Sequence, residues 1–312
     1  MPTVSIIMNV RNGAATLREA LESAFNQTYR DWELIVWDDC STDDSAKIVG
    51  EFKDPRLRYW LAANDTALGQ ARESALGQAR GEWLAFLDQD DIWLPRKLEL
   101  QMALTDSPQA GLVYGRTVCF YPSGRQRDYD QFHEYSELPE GYIFAELLGR
   151  GCFIAMSSAL LRRSAVKETG SIPAHIQVAP DYFLYLAVSR RYEARAVQQV
   201  VCRYRVHPGN MTSLYRRESL EETLWLLEGW RGQVAPRAFR SRHAGIATAL
   251  ALEEMRHWKS LTKGIQRLLR TGSLWWLIRA PLVRLERMVA RRLRQPRWQK
   301  VGPALQEVAR GN

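Results

Sequence analysis

Hydrophobic and polar positions alternate in two different rhythms over the first hundred residues. Four apolar runs have the length of buried strands: 4–8, 33–37, 57–61 and 83–87. Two segments between them, 13–26 and 66–79, repeat their apolar residues at the spacing of amphipathic helices. Strands that alternate with helices predict a parallel sheet covered by helices on both faces. In such sheets, ligands bind beyond the carboxyl ends of the strands.

The alternation is less regular after residue 105. Five further elements are predicted: a strand at 111–121, a polar loop at 122–139, a short helix at 142–148, a helix at 181–190 and a strand at 196–204. After residue 215 the strand signals stop and only helical patterns follow. The sequence therefore predicts an α/β domain over 1–215, with halves 1–105 and 106–215, and a helical extension over 216–312.

The composition is that of a folded protein from a reducing compartment. Hydrophobic residues make up 46% of the 312 positions, which excludes wholesale disorder. The four cysteines lack the close spacing of a zinc site, and we interpret them as free thiols. The N-terminus predicts a first strand rather than a secretory signal, and no segment is apolar enough to span a membrane. We expect a cytoplasmic protein, either free or peripheral on the cytoplasmic face of the inner membrane.

Positive charge is concentrated near the C-terminus. The segment 256–300 contains 13 Lys and Arg and one acid, so it carries +12, whereas the whole chain carries +8 and the remainder about −4. This asymmetry argues against nucleic-acid binding by the main domain. Two interpretations of the segment stay open. Its predicted helices, at about 257–271 and 282–294, either contact an anionic membrane or pack on the domain.

Acidic residues follow two of the predicted strands. Three carboxylates in the segment 88–91 come directly after the run 83–87, and Asp38-Asp39 ends the run 33–37. Carboxylates this close repel one another unless a cation compensates, and Mg²⁺ or Mn²⁺ with a diphosphate supplies that compensation through oxygen ligands. A solvated turn is the alternative, because Asp is common in turns. The buried strand before the segment and the second acidic pair favour a ligand site.

Three other residues carry weaker signals. Taken alone, Asp181 resembles a helix N-cap, His207 a loop histidine and Arg72 a surface residue. The sequence has neither a Gly-x-Gly-x-x-Gly or phosphate-loop pattern nor a Gly-x-Ser-x-Gly elbow. Dinucleotide-binding, triphosphate-binding and hydrolase functions therefore lack their usual support.

Several ordered motifs resemble family 2 glycosyltransferases, which have the GT-A fold. The resemblance covers roughly 3–215 and is densest over the first hundred residues. The motifs that carry it are VSIIMNVRN at 4–12, SAFNQT at 23–28, WELIVWDDCSTD at 32–43, AR at 71–72, ARGEWLAFLDQDDIW at 79–93 and YRVHPG at 204–209.

The resemblance implies a nucleotide-sugar site in the first half of the domain. The segment Asn9-Val10-Arg11 would form a wall beside the nucleobase, and the Asp39 carboxylate would contact that base. Arg72 lies at the position where a residue of the family approaches the base or the diphosphate of the nucleotide. Asp88, with Gln89 beside it, resembles the first acid of the Asp-x-Asp motif, close to the ribose.

The resemblance also implies a divalent metal, Mn²⁺ or Mg²⁺, with Asp90 and His207 as ligands. The metal and His207 would offset negative charge on the leaving diphosphate. Asp181 sits where the family places its catalytic base, which would take the proton from an acceptor hydroxyl. One displacement assisted by one base inverts the configuration at the anomeric carbon.

The sequence departs from the family pattern at four positions. Asn9 and Arg11 stand where the family usually has Pro and an aromatic residue, and a guanidinium can still stack on a base. Glu73 replaces a common Asn beside Arg72, and Pro180 replaces the usual acid before the base.

The predicted function is that of an inverting, metal-dependent glycosyltransferase. Its donor would be a nucleotide-diphosphate sugar, with UDP favoured over dTDP and GDP. Its acceptor would be a hydroxyl of a glycan or of a lipid-linked glycan precursor in cell-surface polysaccharide synthesis. An anionic membrane, met through 256–300, is a further candidate partner, and nucleic acid is not expected. Two alternatives stay open: a non-catalytic nucleotide- or glycan-binding protein on the same fold, and a sugar nucleotidyltransferase.

Overall fold

A computed structural model describes residues 2–121, 126–128, 137–255 and 265–267 of the chain. Its strands are β1 (Val4–Val10), β2 (Trp32–Asp38), β3 (Leu57–Leu61), β4 (Trp83–Phe86), β5 (Ile92–Trp93), β6 (Ala110–Phe120), β7 (Gln126–Asp128), β8 (Leu160–Arg162) and β9 (Glu193–Arg205). Its helices are α1 (Leu17–Phe25), α2 (Ser45–Glu51), α3 (Leu68–Gly77), α4 (Lys97–Met102), α5 (Phe144–Arg150), α6 (Arg163–Glu168), α7 (Pro180–Ser189), α8 (Met211–Leu214), α9 (Arg216–Gly229) and α10 (Pro236–Met255). A short 3-10 helix spans Met156–Ser158.

One sheet runs through the molecule in the order β3-β2-β1-β4-β8-β6-β9-β5, with β7 paired to β6. The first four strands in this order are parallel. Their pairing places Asn9 opposite Trp37 and Val10 opposite Asp38, so the carboxyl ends of β1 and β2 lie side by side. The parallel half predicted from the alternating pattern is confirmed.

The second half of the sheet is mixed. Strand β8 is antiparallel to both β4 and β6, whereas β6 and β9 are parallel. The short strand β5 pairs antiparallel with the end of β9, with Ile92 opposite Arg203. Since β5 begins directly after the segment 88–91 and β9 ends just before His207, this pairing brings the acidic segment and the histidine to the same edge.

Hydrophobic side chains fill both faces of the sheet. On one face, the sheet packs against α1, α2 and α4 through residues such as Leu21, Val49 and Leu98, and α4 lies against β6 and β9. The other face packs against α3, α5 and α7. This second cluster also contains Leu226 and Leu227 of α9 together with Phe239 and Ile246 of α10. The first two helices of the predicted extension therefore share the core of the α/β domain.

A buried polar network joins the turn before β4 to the two central strands. Glu33 accepts hydrogen bonds from the Ser5 hydroxyl (2.7 Å), the Arg80 amide (2.8 Å) and the Arg58 guanidinium (2.8 Å). The Ser5 hydroxyl in turn accepts from the Gly81 amide at 2.8 Å. Burial raises the pKa of Glu33, but these hydrogen bonds more than compensate, so its pKa lies below the usual range. The charged carboxylate thus fixes the entry into β4, which leads to the acidic segment.

The helices and strands predicted after residue 105 are found with shifted ends. The polar loop predicted at 122–139 lies mostly outside the described residues, and its described part contains strand β7. The predicted strand at 196–204 begins earlier, at Glu193, and the helix predicted at 142–148 runs from Phe144 to Arg150. All four cysteines are free thiols, as expected. Within the described ranges, no helix is both long enough and apolar enough to cross a membrane. The two helices predicted in the basic segment 256–300 lie outside the described residues, apart from 265–267.

A pair of glycine substitutions tests how closely the turn before β4 approaches β1. A Cβ at Gly81 would lie 2.6 Å from the Ser5 amide nitrogen and 2.8 Å from the Val4 carbonyl carbon. Because both contacts are backbone atoms, we expect Gly81→Ala to lower the free energy of unfolding by about 1–3 kcal/mol. A Cβ at Gly77, at the end of α3, would meet no atom within 4 Å. Gly77→Ala should be neutral or stabilising by up to about 1 kcal/mol in urea unfolding. Equal effects of the two changes would contradict this account.

Candidate active site

The candidate site lies at the carboxyl ends of β1, β2 and β4. The loop after β1 carries Asn12 and the loop after β2 carries Cys40, and both residues adopt left-handed backbone conformations, with φ of 49° and 60°. The two loops are tied together because the Asn12 side chain accepts the Thr42 amide at 2.8 Å and the Ser41 hydroxyl accepts the Asn12 amide at 3.0 Å. The structure thus fixes two non-glycine residues in an unusual conformation beside the acidic strand ends.

Asp39 is buried at the bottom of this region. Its amide donates to the Val10 carbonyl at 2.8 Å, which holds the loops after β1 and β2 in contact. Its carboxylate accepts from the amide of Thr66 at 3.1 Å and from the Thr66 hydroxyl at 3.1 Å. Arg11 lies 3.5 Å from the same carboxylate and 2.7 Å from Asp65. Asp39 and Arg11 therefore meet, as the resemblance implies.

Gln89 connects the acidic segment to the loop after β1. Its side-chain oxygen accepts the Arg11 amide at 2.9 Å, and its side-chain nitrogen donates to the Arg11 carbonyl at 3.2 Å. The Gln89 carbonyl accepts the Thr16 hydroxyl at 3.0 Å. A Cβ at Gly13 would collide with the Gln89 amide group, so a larger residue there would displace the Gln89 side chain. In this structure Gln89 holds the backbone of Arg11 and thereby places its guanidinium.

Arg72 of α3 reaches the acidic segment from the opposite side. Its guanidinium lies 3.1 Å from Asp88 Oδ1, and its side chain is only 5% exposed. Burial raises the pKa of Asp88 to about 6; Arg72 opposes this shift, and the charges of Asp90 and Asp181 add to it. Burial likewise raises the pKa of Asp181, and Arg72 opposes the rise. Arg72, Asp88 and Asp181 therefore share one electrostatic environment.

Three buried N–H donors near this position have no acceptor within hydrogen-bond distance in the described parts of the chain. They are Asn9 Nδ2, Trp37 Nε1 and Arg72 Nε. Asn9 and Trp37 are paired across β1 and β2, so their side chains project from the same face of the sheet. The α3 helix, which carries Arg72, packs on both strands. Buried donors without partners are unfavourable, so an acceptor supplied from outside the protein would stabilise this face.

Asp90 and His207 form the outer part of the site. Asp90 Oδ2 lies 2.8 Å from His207 Nε2, and both side chains are partly exposed. His207 Nδ1 accepts the amide of Gly209 at 3.1 Å, which assigns the proton of the neutral ring to Nε2, facing Asp90. The His207 amide donates to Asn210 Oδ1 at 2.7 Å, so the loop after β9 is held by its own side chains.

Asp91 points inward and supports the backbone. The Ser157 hydroxyl donates to Asp91 at 2.6 Å, and the Arg205 amide donates to it at 3.0 Å. Ser157 also accepts the Asp88 amide at 3.0 Å, and the Arg205 guanidinium donates to the Asp90 carbonyl at 2.8 Å. Burial raises the pKa of Asp91 well above its usual range, and repulsion by Asp90 and Asp88 adds to the rise. The three carboxylates of the segment thus face different surroundings, and Asp91 is the one enclosed by protein.

A metal ion would meet ligand atoms of the right chemistry at Asp90 and His207. No set of three or more His, Cys, Asp or Glu side chains converges on a metal position within the described ranges. The convergence of a carboxylate and an imidazole fits a cation that takes its remaining ligands from diphosphate oxygens and water, as Mg²⁺ and Mn²⁺ do. Ligation through His207 Nε2 would require the ring proton to move to Nδ1, so the hydrogen bond from Gly209 would open.

The structure brings the sequence-predicted residues to one edge of the sheet: Asn9, Val10, Arg11, Asp39, Arg72, Asp88, Gln89, Asp90, Asp181 and His207. Sequence reasoning missed Trp37, Thr66, Ser157 and Arg205. Trp37 could have been found, because the parallel pairing of the first two runs places it beside Asn9. The other three act through contacts between distant segments, for which the sequence has no local signal.

Comparison with known proteins agrees with this geometry. The family model described as glycosyl transferase family 2 matches residues 5–170. The Escherichia coli UDP-Glc:alpha-D-GlcNAc-diphosphoundecaprenol beta-1,3-glucosyltransferase WfaP is 33% identical over 224 residues, which cover 72% of this chain and 85% of WfaP. The succinoglycan biosynthesis protein ExoO of Rhizobium meliloti is 26% identical over 270 residues, 83% of this chain and 74% of ExoO.

Two solved structures have a similar fold. Staphylococcus aureus TarS in complex with UDP-GlcNAc superposes with a TM-score of 0.61 at 20% identity, covering 89% of this chain and 81% of that one. The Pyrobaculum calidifontis mannosyltransferase PcManGT, in complex with GDP-Man and Mn²⁺, gives 0.60 at 17% identity, covering 96% and 88%.

The fold and the arrangement of acidic strand ends define a GT-A glycosyltransferase. The chain belongs to glycosyl transferase family 2. The resemblance drawn from its motifs is confirmed, and the interpretations as a nucleotidyltransferase and as a non-catalytic binding protein are set aside.

Two neighbouring substitutions test whether Asp91 supports the fold while Asp90 does not. Asp91→Ala removes the acceptor of two buried donors, Ser157 Oγ and Arg205 N. We expect it to lower the free energy of unfolding by about 1–3 kcal/mol, even though relief of carboxylate repulsion offsets part of the loss. Asp90→Ala, at a partly exposed position, should change it by no more than about 0.5 kcal/mol. Chemical denaturation of both variants checks this, and a larger loss for Asp90→Ala would contradict it.

Proposed function

We propose that this protein is an inverting, metal-dependent glycosyltransferase that uses a UDP-sugar and extends a lipid-linked glycan precursor. The observation that carries the proposal is the convergence, at one edge of the sheet, of a buried Asp39, the Arg72–Asp88 pair, the Asp90–His207 pair and Asp181. Asp39 and the Arg72–Asp88 pair would bind the nucleotide, and the Asp90–His207 pair would hold the metal that offsets charge on the diphosphate. Asp181 would be the catalytic base.

The donor would lie over the ends of β1 and β2. Asp39 offers a carboxylate acceptor to an N–H of the base, and Arg11 offers a flat guanidinium beside it. The unpartnered donors of Asn9, Trp37 and Arg72 suit oxygen atoms of a base or ribose. UDP is favoured because WfaP is named for UDP-Glc and TarS is solved with UDP-GlcNAc.

The metal would be held by Asp90 and His207. A divalent cation at this position would supply electrostatic stabilisation of the diphosphate leaving group. Its inclusion is supported by the raised pKa of Asp88, which burial causes and to which the charges of Asp90 and Asp181 add, and by the Mn²⁺ in the PcManGT structure.

Asp181 would act as the base. It lies in the first turn of α7, where its carboxylate accepts its own helix's Tyr182 amide at 2.8 Å. Burial raises its pKa, which strengthens it as a proton acceptor. The acceptor oxygen would form a bond to the anomeric carbon while the bond from that carbon to the diphosphate breaks, and the hydroxyl proton would pass to Asp181. A single displacement of this kind inverts the anomeric configuration.

The acceptor assignment depends on the relatives. WfaP is named for an acceptor sugar linked to diphosphoundecaprenol, and ExoO for succinoglycan biosynthesis. We propose a lipid-linked acceptor of the same class, which places the enzyme peripherally at the cytoplasmic face of the inner membrane. In this proposal 1–215 forms the catalytic domain, with a donor half (1–105) and an acceptor half (106–215), and 216–312 forms a C-terminal extension. The basic segment 256–300 is its candidate membrane contact.

The experiment that tests this function is a transfer assay with UDP-glucose, Mn²⁺ and α-D-GlcNAc-diphosphoundecaprenol. We expect a β-linked disaccharide product, because inversion of an α-linked donor gives a β linkage. Asp181→Asn should lower kcat by at least about a hundredfold, the scale of general base catalysis. As a control, this variant should bind UDP at least as tightly as the wild type, since the substitution removes a negative charge from the surroundings of Arg72 and Asp88. An α-linked product, or full activity of Asp181→Asn, would contradict the mechanism.

The raised pKa of Asp181 predicts a particular pH dependence. A base must be unprotonated, so kcat should fall as the pH drops through the pKa of Asp181. Because that pKa is raised, the fall should begin above the usual Asp value of about 3.9. Asp88 also titrates, near pH 6, so kcat is measured at saturating donor to remove effects on donor binding. A kcat that stays constant down to the ordinary Asp pKa would refute the assignment.

A further inference from the structure

Glu222 of α9 binds the backbone directly before α7. Its side-chain oxygens accept the amides of Gln177 (2.8 Å), Val178 (3.1 and 3.0 Å) and Ala179 (2.8 Å). The residue is only 7% exposed. A single buried carboxylate thus holds three consecutive N–H groups, an arrangement that is stronger than neutral hydrogen bonds.

These three amides lead straight into the proposed base. Ala179 is followed by Pro180, the first residue of α7, and then by Asp181. The pyrrolidine ring of Pro180 restricts its φ to about −65°, so little freedom remains between the held amides and the Asp181 backbone. The position of the Asp181 carboxylate therefore depends on a side chain that lies in another helix, 41 residues further along the chain.

The next helix supports the same wall of the site. Arg242 of α10 lies against Gly151, which has a φ of 103°, and a Cβ at Gly151 would collide with its guanidinium. The following residue, Cys152, is close enough to Asp181 for the charge of that carboxylate to help raise its thiol pKa, after the larger effect of burial. Both described helices of the C-terminal extension thus reach the surroundings of Asp181.

We propose that Glu222 is a positioning residue for the transfer reaction. It holds the start of α7 so that Asp181 faces the acceptor hydroxyl, and the extension beyond residue 215 thereby contributes to the geometry of the catalytic domain. The proposal rests on the proposed role of Asp181 as the base. The Glu222 carboxylate has two effects. It binds amides at the N-terminus of α7, where the helix dipole favours negative charge, and it fixes the orientation of that helix.

A purely structural role for Glu222 would have different consequences. In that case its loss would lower stability and would leave the turnover of the folded enzyme intact. A positioning role predicts a loss of kcat with unchanged donor binding, because the carboxylate of Glu222 binds the amides of 177–179 and not the residues proposed to hold the nucleotide. Displacement of a catalytic group by about 1 Å lowers rates on the order of a hundredfold.

The experiment compares Glu222→Ala and Glu222→Gln with Glu221→Ala in the full-length chain. Glu221 is a matched control, since it precedes Glu222 on the same helix but pairs with Arg217 at the surface. Three properties are measured: kcat and KM with UDP-glucose and α-D-GlcNAc-diphosphoundecaprenol, the affinity for UDP with Mn²⁺, and deuterium exchange of the amides at 177–179. Thermal unfolding shows whether each variant is folded.

We expect Glu222→Ala to lower kcat about tenfold to a hundredfold and to leave UDP affinity unchanged. Amide exchange at 177–179 should become faster by on the order of tenfold or more. Glu222→Gln keeps one oxygen acceptor but turns an NH₂ group toward the other amides, so its kcat should lie between those of the wild type and Glu222→Ala. Glu221→Ala should match the wild type in all three properties.

A double variant shows whether Glu222 acts through Asp181. If it does, Glu222→Ala combined with Asp181→Asn should be no slower than Asp181→Asn alone. Both substitutions then remove base catalysis by Asp181, and that contribution to kcat can be lost only once. Losses that multiply would overturn the proposal, as would unchanged kcat and unchanged exchange in Glu222→Ala. If Asp181→Asn is itself fully active, the base assignment fails and this proposal fails with it. If only Glu222→Ala is without effect, the proposed function stands.

Discussion

Negative charge is gathered in this molecule at one partly buried position. Asp90 and Asp181 both lie close enough to Asp88 to raise its pKa in addition to burial, and one buried guanidinium, that of Arg72, opposes them. The result is a site in which two carboxylates have raised pKa values even with the arginine present. A diphosphate, itself negative, could approach such a cluster only together with cations. This is the physical reason for including a divalent metal in the proposed function.

The rest of the scaffold keeps that cluster in place against its own repulsion. Asp91 is turned inward and bound by Ser157 and Arg205, so the backbone of the acidic segment cannot relax away from the site. Arg205 also binds the Asp90 carbonyl, and its strand ends two residues before His207. One end of β9 thus fixes both members of the Asp90–His207 pair. The antiparallel pairing of β5 with β9 is what makes these contacts possible.

The sequence predicts the parallel half of the sheet well because its information is local. Apolar runs, amphipathic helices and acidic strand ends each lie within a few residues, and parallel pairing brings Asp39 beside the loop of Arg11 without further assumptions. The position of His207 beside Asp90 followed from the family resemblance and not from periodicity. The strand order in the mixed half of the sheet could not be predicted from the sequence. Strand β8 lies between β4 and β6, and a short apolar run does not reveal which strands it pairs with. Thr66 on Asp39 and Ser157 on Asp91 were missed for the same reason.

The two halves of the site are held in physically different ways. Around Asp39 and Asp88, the contacts join residues within the first hundred positions, such as Arg11 with Asp39 and Arg72 with Asp88. Around Asp181, the preceding amides are bound from Glu222, and Gly151 is contacted from Arg242. The family model ends at residue 170, before Asp181, Glu222 and Arg242. With Asp181 as the proposed base, its geometry is set by helices outside the matched region, whereas the contacts of Asp39 and Asp88 lie inside it.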